Sequence, residues 1–533
     1  MDSSRWPRVA DATSTATGKR MPRQTSLGDL LEDAALAGTI QVVAGDAVGG
    51  RITGITEDSR LVEAGTLFVA RPGTSHDGGD HVADAIERGA GAILAVPAVA
   101  TAVPASAVGI ATPDPAKVGG DLAFRFHGHP ERRMAFAGIT GTNGKTTVAT
   151  LARQLLDATL GRCGLVGTIE AHDGVESTPA TLTTPGRIAL AGVLGDFAEA
   201  GCERVVMEVS SHALDQGRVA DVEFDVAVFT NLSGDHLDYH GDMASYAAAK
   251  ALLFAGLPSD ATAIINLADP AARTMLEAGP ARVIGVAPVE AAADPPDGVR
   301  CLEHRIVDRD FSGMTLELRF EATSHRVRVP LVGDHNAFNV AAAAAMAISF
   351  GADWSAVRVA LETIEAPRGR LQPVHGPADE VRVFVDYAHT DDAIVNVLAG
   401  VRPEVPSEAA LVVVFGAGGD RDRTKRPRMM HAALDGADRV VVTSDNPRTE
   451  SPDAIVAEIV AACDVGRRDR VHQEVDRALA IDHAIATARA GDVIVIAGKG
   501  HEDYQIVGTE RRHFDDVEVA AAALARRRGE APS

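Results

Sequence analysis

The sequence predicts an α/β protein of three domains. Three observations carry that expectation. The chain has 533 residues, more than a single core organises, since domains run to about 100–200 residues. Short continuous apolar runs recur, such as "ERVVMEV", "FDVAVF" and "VIVIA", and such runs suit strands buried on both faces of a parallel sheet. Glycine-rich, polar or charged residues directly follow these runs, where open α/β sheets bind their ligands.

Composition narrows the class. Hydrophobic residues make up 46% and charged residues 23%, the balance of a soluble globular chain. Net charge is 51 − 74 = −23. That excludes a nucleic-acid surface, which needs clustered Lys and Arg, but leaves room for a local basic pocket around a small anion. No apolar run reaches the ~18 residues of a membrane span. Residues 1–25 read as a disordered tail without the apolar stretch of a signal peptide. Cys163, Cys202, Cys301 and Cys463 have no metal-ligand spacing and read as buried thiols of a reducing cytoplasm.

Along the chain, residues 26–133 form the first expected domain, with a strand at "TLFVARPG", a helix at "HVADAIERGA" and a strand at "GAILAVPA". Residues 134–366 form the second. It opens with a strand, a glycine loop and a helix, and it closes with "NVAAAAAMAISFG", a helix on alanine's high propensity, stopped by Gly351. "EAPRGRLQPV" breaks both periods and reads as a linker. The third domain, 367–533, carries "VRVFVDYAHT", "ALVVVFGAGGDRDRTKRP", "ADRVVVTSDNPRTE" and "GDVIVIAGKGHEDYQ", each a strand with a polar end.

The stretch "AFAGITGTNGKTTVATLARQ" holds the clearest chemistry. Gly141 and Gly144 allow close turns that aim backbone N–H groups at phosphates. Thr142, Asn143 and Thr147 complete the loop. Lys145 can place an ammonium on the β- and γ-phosphates of ATP, and Thr146 can offer its hydroxyl to Mg²⁺. The usual G-x-x-x-x-G-K-[ST] spacing wants a glycine where Ile139 stands. Further on, Glu208 ends a strand and can hold the metal. "SGDHLDYHGDMASYAAAK" then gathers Asp235, His236, Asp238, His240 and Lys250, with His236 as the second candidate metal ligand.

"GTNGKTT" resembles the ATP loop of the Mur ligases and folylpolyglutamate synthetases, and "TNLSGDHLDYH" with "AAKALLF" is similar to the Mur ligase central domain. The resemblance implies that Lys250 is carbamylated and binds magnesium. It further implies a ligase that activates a carboxylate as an acyl phosphate, which an amine then attacks. "EDSRLVEAGTLFVARPGTSHDGGD" resembles the uridine-binding domain of the MurE type. Ser59 and Thr74, Ser75 and His76 would then contact the UDP end of UDP-N-acetylmuramoyl-L-alanyl-D-glutamate. Thr183, Thr184, Ser210, Gln216 and Arg218 would hold its muramoyl dipeptide. Arg370 would clamp the nucleotide from the linker, with His389 a further helper.

The third domain, Rossmann-like by this resemblance, would choose the amine. "SDNPRTE" supplies Asp445, Asn446, Pro447 and Arg448, similar to forms that add meso-diaminopimelate. Its second carboxylate suits a bidentate Arg448. Arg421, Gly498 and Glu502 match the other gripping positions, with Glu502 for the distal ammonium. The chain departs from the family's usual residues at Gly234, His335, Asp391 and Thr424. His335 leaves the nucleotide stacking there open. The competing readings are a lysine-adding form, a folylpolyglutamate-type ligase and a non-catalytic nucleotide-binding regulator.

Overall fold

The computed structural model describes residues 24–36, 38–45, 50–73, 77–279, 282–291, 296–376 and 378–530. Thr74, Ser75, His76, the Asp238 side chain and the expected tail through residue 23 lie outside the described residues. Thr25, at the end of that tail, already pairs as a strand with Ile52. The chain forms two compact units, Met1–His129 and Pro130–Ser533.

The first unit is built on one sheet. Its strands lie in the order Gln41–Ala44, Val108–Ala111, Ala92–Ala95, Thr66–Ala70 and Gly54–Thr56. All neighbours are parallel except the first pair. Every residue of Thr66–Ala70 and Ala92–Ala95 is buried, as continuous apolar strands between two layers should be. Ser59 lies in a short 3-10 turn, Ser59–Leu61, capped by the Asp58 side chain.

The second unit holds two large sheets, besides a two-stranded antiparallel pair of Tyr504–Val507 with Glu510–His513. The larger has 11 strands. Its centre, from Cys163–Val166 through Arg204–Glu208, Ala135–Thr140, Val226–Phe229, Thr262–Asn266 and Arg282–Pro288 to Arg300–Asp310, is parallel throughout. The parallel sheet expected for this domain is present, extended at its margins by strands of the other sense. Both edges are antiparallel: Glu170–His172 and Ser177–Pro179 on one side, Gly313–Phe320 and Thr323–Val329 on the other.

The alanine helix, His335–Ser349, is buried from Val340 to Ala347 against Val148, Ala149 and Ala152 of helix Lys145–Leu160. Small side chains let the two helices approach closely. Gly351, with φ +94°, ends it in the left-handed conformation that favours glycine after a helix.

The smaller sheet orders Gln372–Pro373, Arg382–Asp386, Val493–Ala497, Leu411–Phe415, Arg439–Val442 and Val471–Gln473. All but the first are parallel, so their carboxyl ends share one edge. The segments Tyr387–His389, Gly416–Arg421, Ser444–Arg448 and Gly498–Glu502 leave from that edge. Among the cysteines, Cys163 and Cys202 are buried as expected, but Cys301 and Cys463 are only partly covered. Cys301 lies next to the exposed start of its strand, and Cys463 follows a helix end.

Candidate active site

The glycine loop follows strand Ala135–Thr140 and caps helix Lys145–Leu160. Ile139 lies inside the strand and is fully buried, so no turn is needed where the usual motif has its first glycine. The turn begins at Gly141, with φ +148°, and ends at Gly144, with φ +84°. A Cβ at Gly141 would lie 1.9 Å from the Thr230 hydroxyl, and one at Gly144 would lie 2.9 Å from Asn339 Oδ1. The loop is braced from the next strand. Thr230 Oγ1 donates to the Asn143 carbonyl at 2.6 Å, and Asn143 N–H donates to Asn231 Oδ1 at 2.9 Å.

Lys145 Nζ donates to the carbonyls of Gly141 (2.8 Å) and Thr142 (2.9 Å). Lys250, on helix Met243–Ala255 and 1% exposed, also donates to the Gly141 carbonyl, at 2.9 Å. Two ammonium groups thus converge on one oxygen. Burial lowers the pKa of Lys145. Burial, with Lys145 beside it, holds Lys250 well below the usual lysine range. A neutral amine is the form that adds CO₂, so the site's chemistry is compatible with a carbamate there.

Glu208, 1% exposed, ends its strand beside the loop. Its Oε2 accepts from Thr146 Oγ1 at 2.9 Å and Thr168 Oγ1 at 3.0 Å, and its Oε1 accepts from Thr168 N–H at 2.8 Å. Hydroxyl and carboxylate oxygens of this kind fit Mg²⁺. His236 adopts φ +54° and sits edge-on to His212, ring centroids 4.9 Å apart. Burial lowers its pKa against the pull of Asp235, which favours the neutral, ligating imidazole. Lys250 joins a metal's donor set only as a carbamate, because an ammonium repels the ion. Among the described residues no three His, Cys, Asp or Glu side chains cluster as a ready-made metal site.

Thr184 Oγ1 donates to the Glu208 carbonyl at 2.8 Å and accepts from Ser210 N–H at 3.1 Å, and Ser210 caps helix Ser211–Asp215. Thr183 meets Thr168 at 3.1 Å. Arg218 donates to the Thr184 carbonyl (2.9 Å) and to Gln216 Oε1 (2.6 Å). The residues expected to hold the dipeptide therefore form one chain of contacts ending at Glu208.

The linker crosses to the smaller sheet. Arg370 Nη2 donates to Thr146 Oγ1 at 3.4 Å, and its guanidinium lies 4.7 Å from the Tyr387 ring centroid. His389 is held by the Tyr387 carbonyl at 2.8 Å and is not drawn to the phosphate loop. His335 is packed against Gly333 and Gly400.

At the far side, Asn446 Nδ2 donates to Glu502 Oε2 at 2.8 Å. Asn446 Oδ1 accepts from Ile506 N–H at 2.9 Å. Gly498 has φ +121°, and a Cβ there would lie 2.6 Å from Asp445 Oδ2. Arg448, with φ +51°, donates from Nη1 to the Gly419 carbonyl at 2.9 Å. Pro447 and Gly419 touch, since a Cβ at Gly419 would lie 1.9 Å from the Pro447 carbonyl. Arg421 is exposed beside Gly418.

A cleft of about 700 Å³ joins the two halves. Thr146, Thr168, Thr183 and Glu208 line one wall; Tyr387, His501, Glu502 and Tyr504 line the other. Several contributors are invisible in the motifs. Thr168 is a single hydroxyl with no pattern around it, and Thr230 opens "TNLSGDHLDYH" without being marked there as a brace of the loop. Lys499 is fully buried and reaches Asn446 Oδ1 (3.3 Å) and Glu502 Oε2 (3.4 Å). Its place in "GKGHE" directly after a strand is the signal that could have found it.

Comparison with known proteins agrees with this architecture. Residues 51–127 match the Mur ligase family catalytic domain, 139–347 the Mur ligase middle domain, and 369–500 the Mur ligase glutamate ligase domain. The chain is 43% identical over 483 residues to a UDP-N-acetylmuramoyl-L-alanyl-D-glutamate–2,6-diaminopimelate ligase of Gloeobacter violaceus, covering 90% of this chain and 94% of that one. A solved structure of a ligase with that same name shares 34% identity at a TM-score of 0.63, over 95% of this chain and 99% of the other. The MurF ligase of Thermotoga maritima, solved with ADP, shares the fold at a TM-score of 0.61 and 18% identity, over 89% and 98% of the two chains. Matched by Mur ligase models in all three regions and by a 43% identical relative over 90% of its length, the chain belongs to the Mur ligase family.

Proposed function

We propose that this chain is an ATP-dependent, ADP-forming ligase of peptidoglycan precursor synthesis in the cytoplasm. It joins meso-2,6-diaminopimelate to UDP-N-acetylmuramoyl-L-alanyl-D-glutamate through an amide bond. The observation that carries the reading is the shared cleft: Thr146 and Glu208 of the phosphate loop side face Glu502 of the amine side across one cavity.

The substrate carboxylate attacks the γ-phosphorus of ATP, the bond to the β,γ-bridging oxygen breaks, and ADP leaves. The diaminopimelate amine, deprotonated, then attacks the acyl phosphate carbonyl and expels phosphate. Lys145 turns from the Gly141 and Thr142 carbonyls to the phosphates and neutralises charge developing on them. Thr146, Glu208, His236 and carbamylated Lys250 would hold Mg²⁺, which supplies further cationic charge on the transferring phosphoryl group. Thr183, Thr184, Ser210, Gln216 and Arg218 orient the dipeptide, and Arg370 lies across the nucleotide. Tyr387 and His501 wall the cleft and limit the water that would hydrolyse the acyl phosphate. Arg448, Arg421, Asn446 and Glu502 select the amine.

The test is phosphate release with ATP, Mg²⁺ and the UDP-dipeptide, offering diaminopimelate or L-lysine. We expect release with diaminopimelate alone, and a loss of about 100-fold in kcat/KM for Arg448→Ala, the size of a removed charged hydrogen-bond pair. Release with lysine would identify the lysine-adding form. No release with either would point to a folylpolyglutamate-type ligase or a nucleotide-binding regulator.

A further inference from the structure

Three of the residues proposed to select the amine, Arg421, Asn446 and Arg448, sit on two separate loops, Gly416–Thr424 and Ser444–Glu450, and these loops are clasped to each other by groups that no substrate contact requires. Asp420 and Arg448 are both non-glycine residues in the left-handed region, φ +53° and +51°. Such backbones persist only where their surroundings fix them. Here each loop fixes the other.

Asp420 N–H donates to Glu450 Oε1 at 2.7 Å. Thr449 returns the contact, donating from Oγ1 to both oxygens of Asp420 (2.8 and 2.9 Å) and from N–H to Oδ2 at 3.1 Å. Gly419 N–H donates to the Asn446 carbonyl at 2.9 Å. Glu450 Oε1 also accepts from Arg426 Nη2 at 2.8 Å, and Arg426 is 1% exposed and pinned at its other end by Glu458 (2.6 Å). The Arg426 guanidinium holds the Glu450 carboxyl below the usual carboxylate range.

The side chains of Arg421 and Arg448 meet beside this clasp. A Cβ at Gly418 would lie 3.0 Å from Arg448 Nη1 and 3.6 Å from Arg421 Cγ, so both arginines bear on the same glycine. We propose that Glu450, with Asp420 and Thr449, is a positioning residue that fixes the separation of Arg421 and Arg448 and so favours an amine substrate with two carboxylates over one with a single carboxylate. The proposal rests on the diaminopimelate reading above. It adds residues that touch no substrate and act only through the two arginines.

The experiment uses the full chain and measures kcat and KM for diaminopimelate, ATP and the UDP-dipeptide, with thermal melting alongside. Glu450→Ala is expected to raise the KM for diaminopimelate about tenfold, the scale on which outer partners tune a bound group. It should leave the KM values for ATP and the UDP-dipeptide within about twofold, and lessen the preference for diaminopimelate over L-lysine. Glu450→Gln keeps an Oε1 acceptor and should recover most of the loss. If Glu450→Ala does not fold, Thr449→Val, which removes only the Oγ1 contacts, is read the same way. An unchanged KM for diaminopimelate in the folded variant, or an equal rise for all three substrates, overturns the clasp. A wild-type protein that does not use diaminopimelate overturns the functional reading itself, and that result is seen before any variant is made.

Discussion

The phosphate loop and the cradle proposed to select the amine lie in one unit, yet their charges are managed in different ways. At the phosphate loop, Lys145 and Lys250 spend their protons on one backbone carbonyl rather than on carboxylates. In the cradle, Arg426 is paired with Glu450 and Glu458, and Lys499 with Glu502. The first region is electrostatically unfinished until an anion arrives. The second is finished in advance and holds a shape. Damage to the first should therefore remove chemistry, and damage to the second should change which amine is accepted.

The sharpest way to break that contrast is at Lys145. Lys145→Ala should lower kcat for phosphate release by about 10³, equivalent to about 4 kcal/mol of transition-state stabilisation. The UDP-dipeptide should still bind, as measured by calorimetry. Gly141→Ala should match it without touching a charge, because its Cβ would fall 1.9 Å from Thr230 Oγ1. A variant at Lys145 that raised only the KM for the amine would erase the distinction between the two regions.

A smaller effect separates fold from site. Burial pushes the Glu404 carboxyl up to about 7, against the Gly333 amide and Arg309. A carboxyl raised in the folded state costs nothing while both states are protonated. Its penalty grows as pH climbs from the ordinary glutamate value toward 7, because the unfolded chain ionises first. Glu404→Gln should therefore raise the melting temperature by roughly 2–4 °C at pH 8 and leave it nearly unchanged at pH 4, with kcat unaltered. Equal shifts at both pH values would assign the effect to packing instead.

Much of the phosphate loop was legible because its chemistry is contiguous: Gly141 to Thr147 is one stretch of loop and helix start, Glu208 ends a strand, His236 lies in the loop after another, and Lys250 reaches the loop from a helix. The cradle was legible only where a candidate site residue stood in a motif, as Arg448 and Glu502 do. Arg426, Glu450 and Lys499 stand within those same motifs, but the contacts that place them, Arg426 to Glu450 and Glu458 and Lys499 to Asn446, cross tens of residues and cannot be read from local order. The antiparallel edge of the large sheet has another cause. Continuous apolar runs find strands covered on both faces. Leu302, Met314, Leu316, Leu318, Val327 and Val329 are buried but alternate with Arg, Glu and Thr, the period of a strand with one wet face. The signal was present at a period the reading did not weigh.

The two regions also meet at a partly exposed ion pair, where the smallest effect is expected. Lys425, first residue of helix Lys425–Gly436, places Nζ 3.9 Å from Asp235 Oδ1. Asp235 also accepts the His236 N–H at 2.9 Å, so this contact links the cradle's loop to the loop bearing a candidate metal ligand. Both side chains remain partly in water, 33% and 26% exposed. Such a pair is worth about 0–1 kcal/mol, and salt weakens it. Lys425→Met should thus lower kcat/KM by no more than about fivefold, and the deficit should shrink when ionic strength rises, because the wild-type enzyme loses the same contact. A loss above about 100-fold, insensitive to salt, would mean that Lys425 reaches the reacting phosphate itself. The unfinished charge of the phosphate loop would then be completed partly from the cradle, and the two regions could no longer be told apart by how they hold their charges.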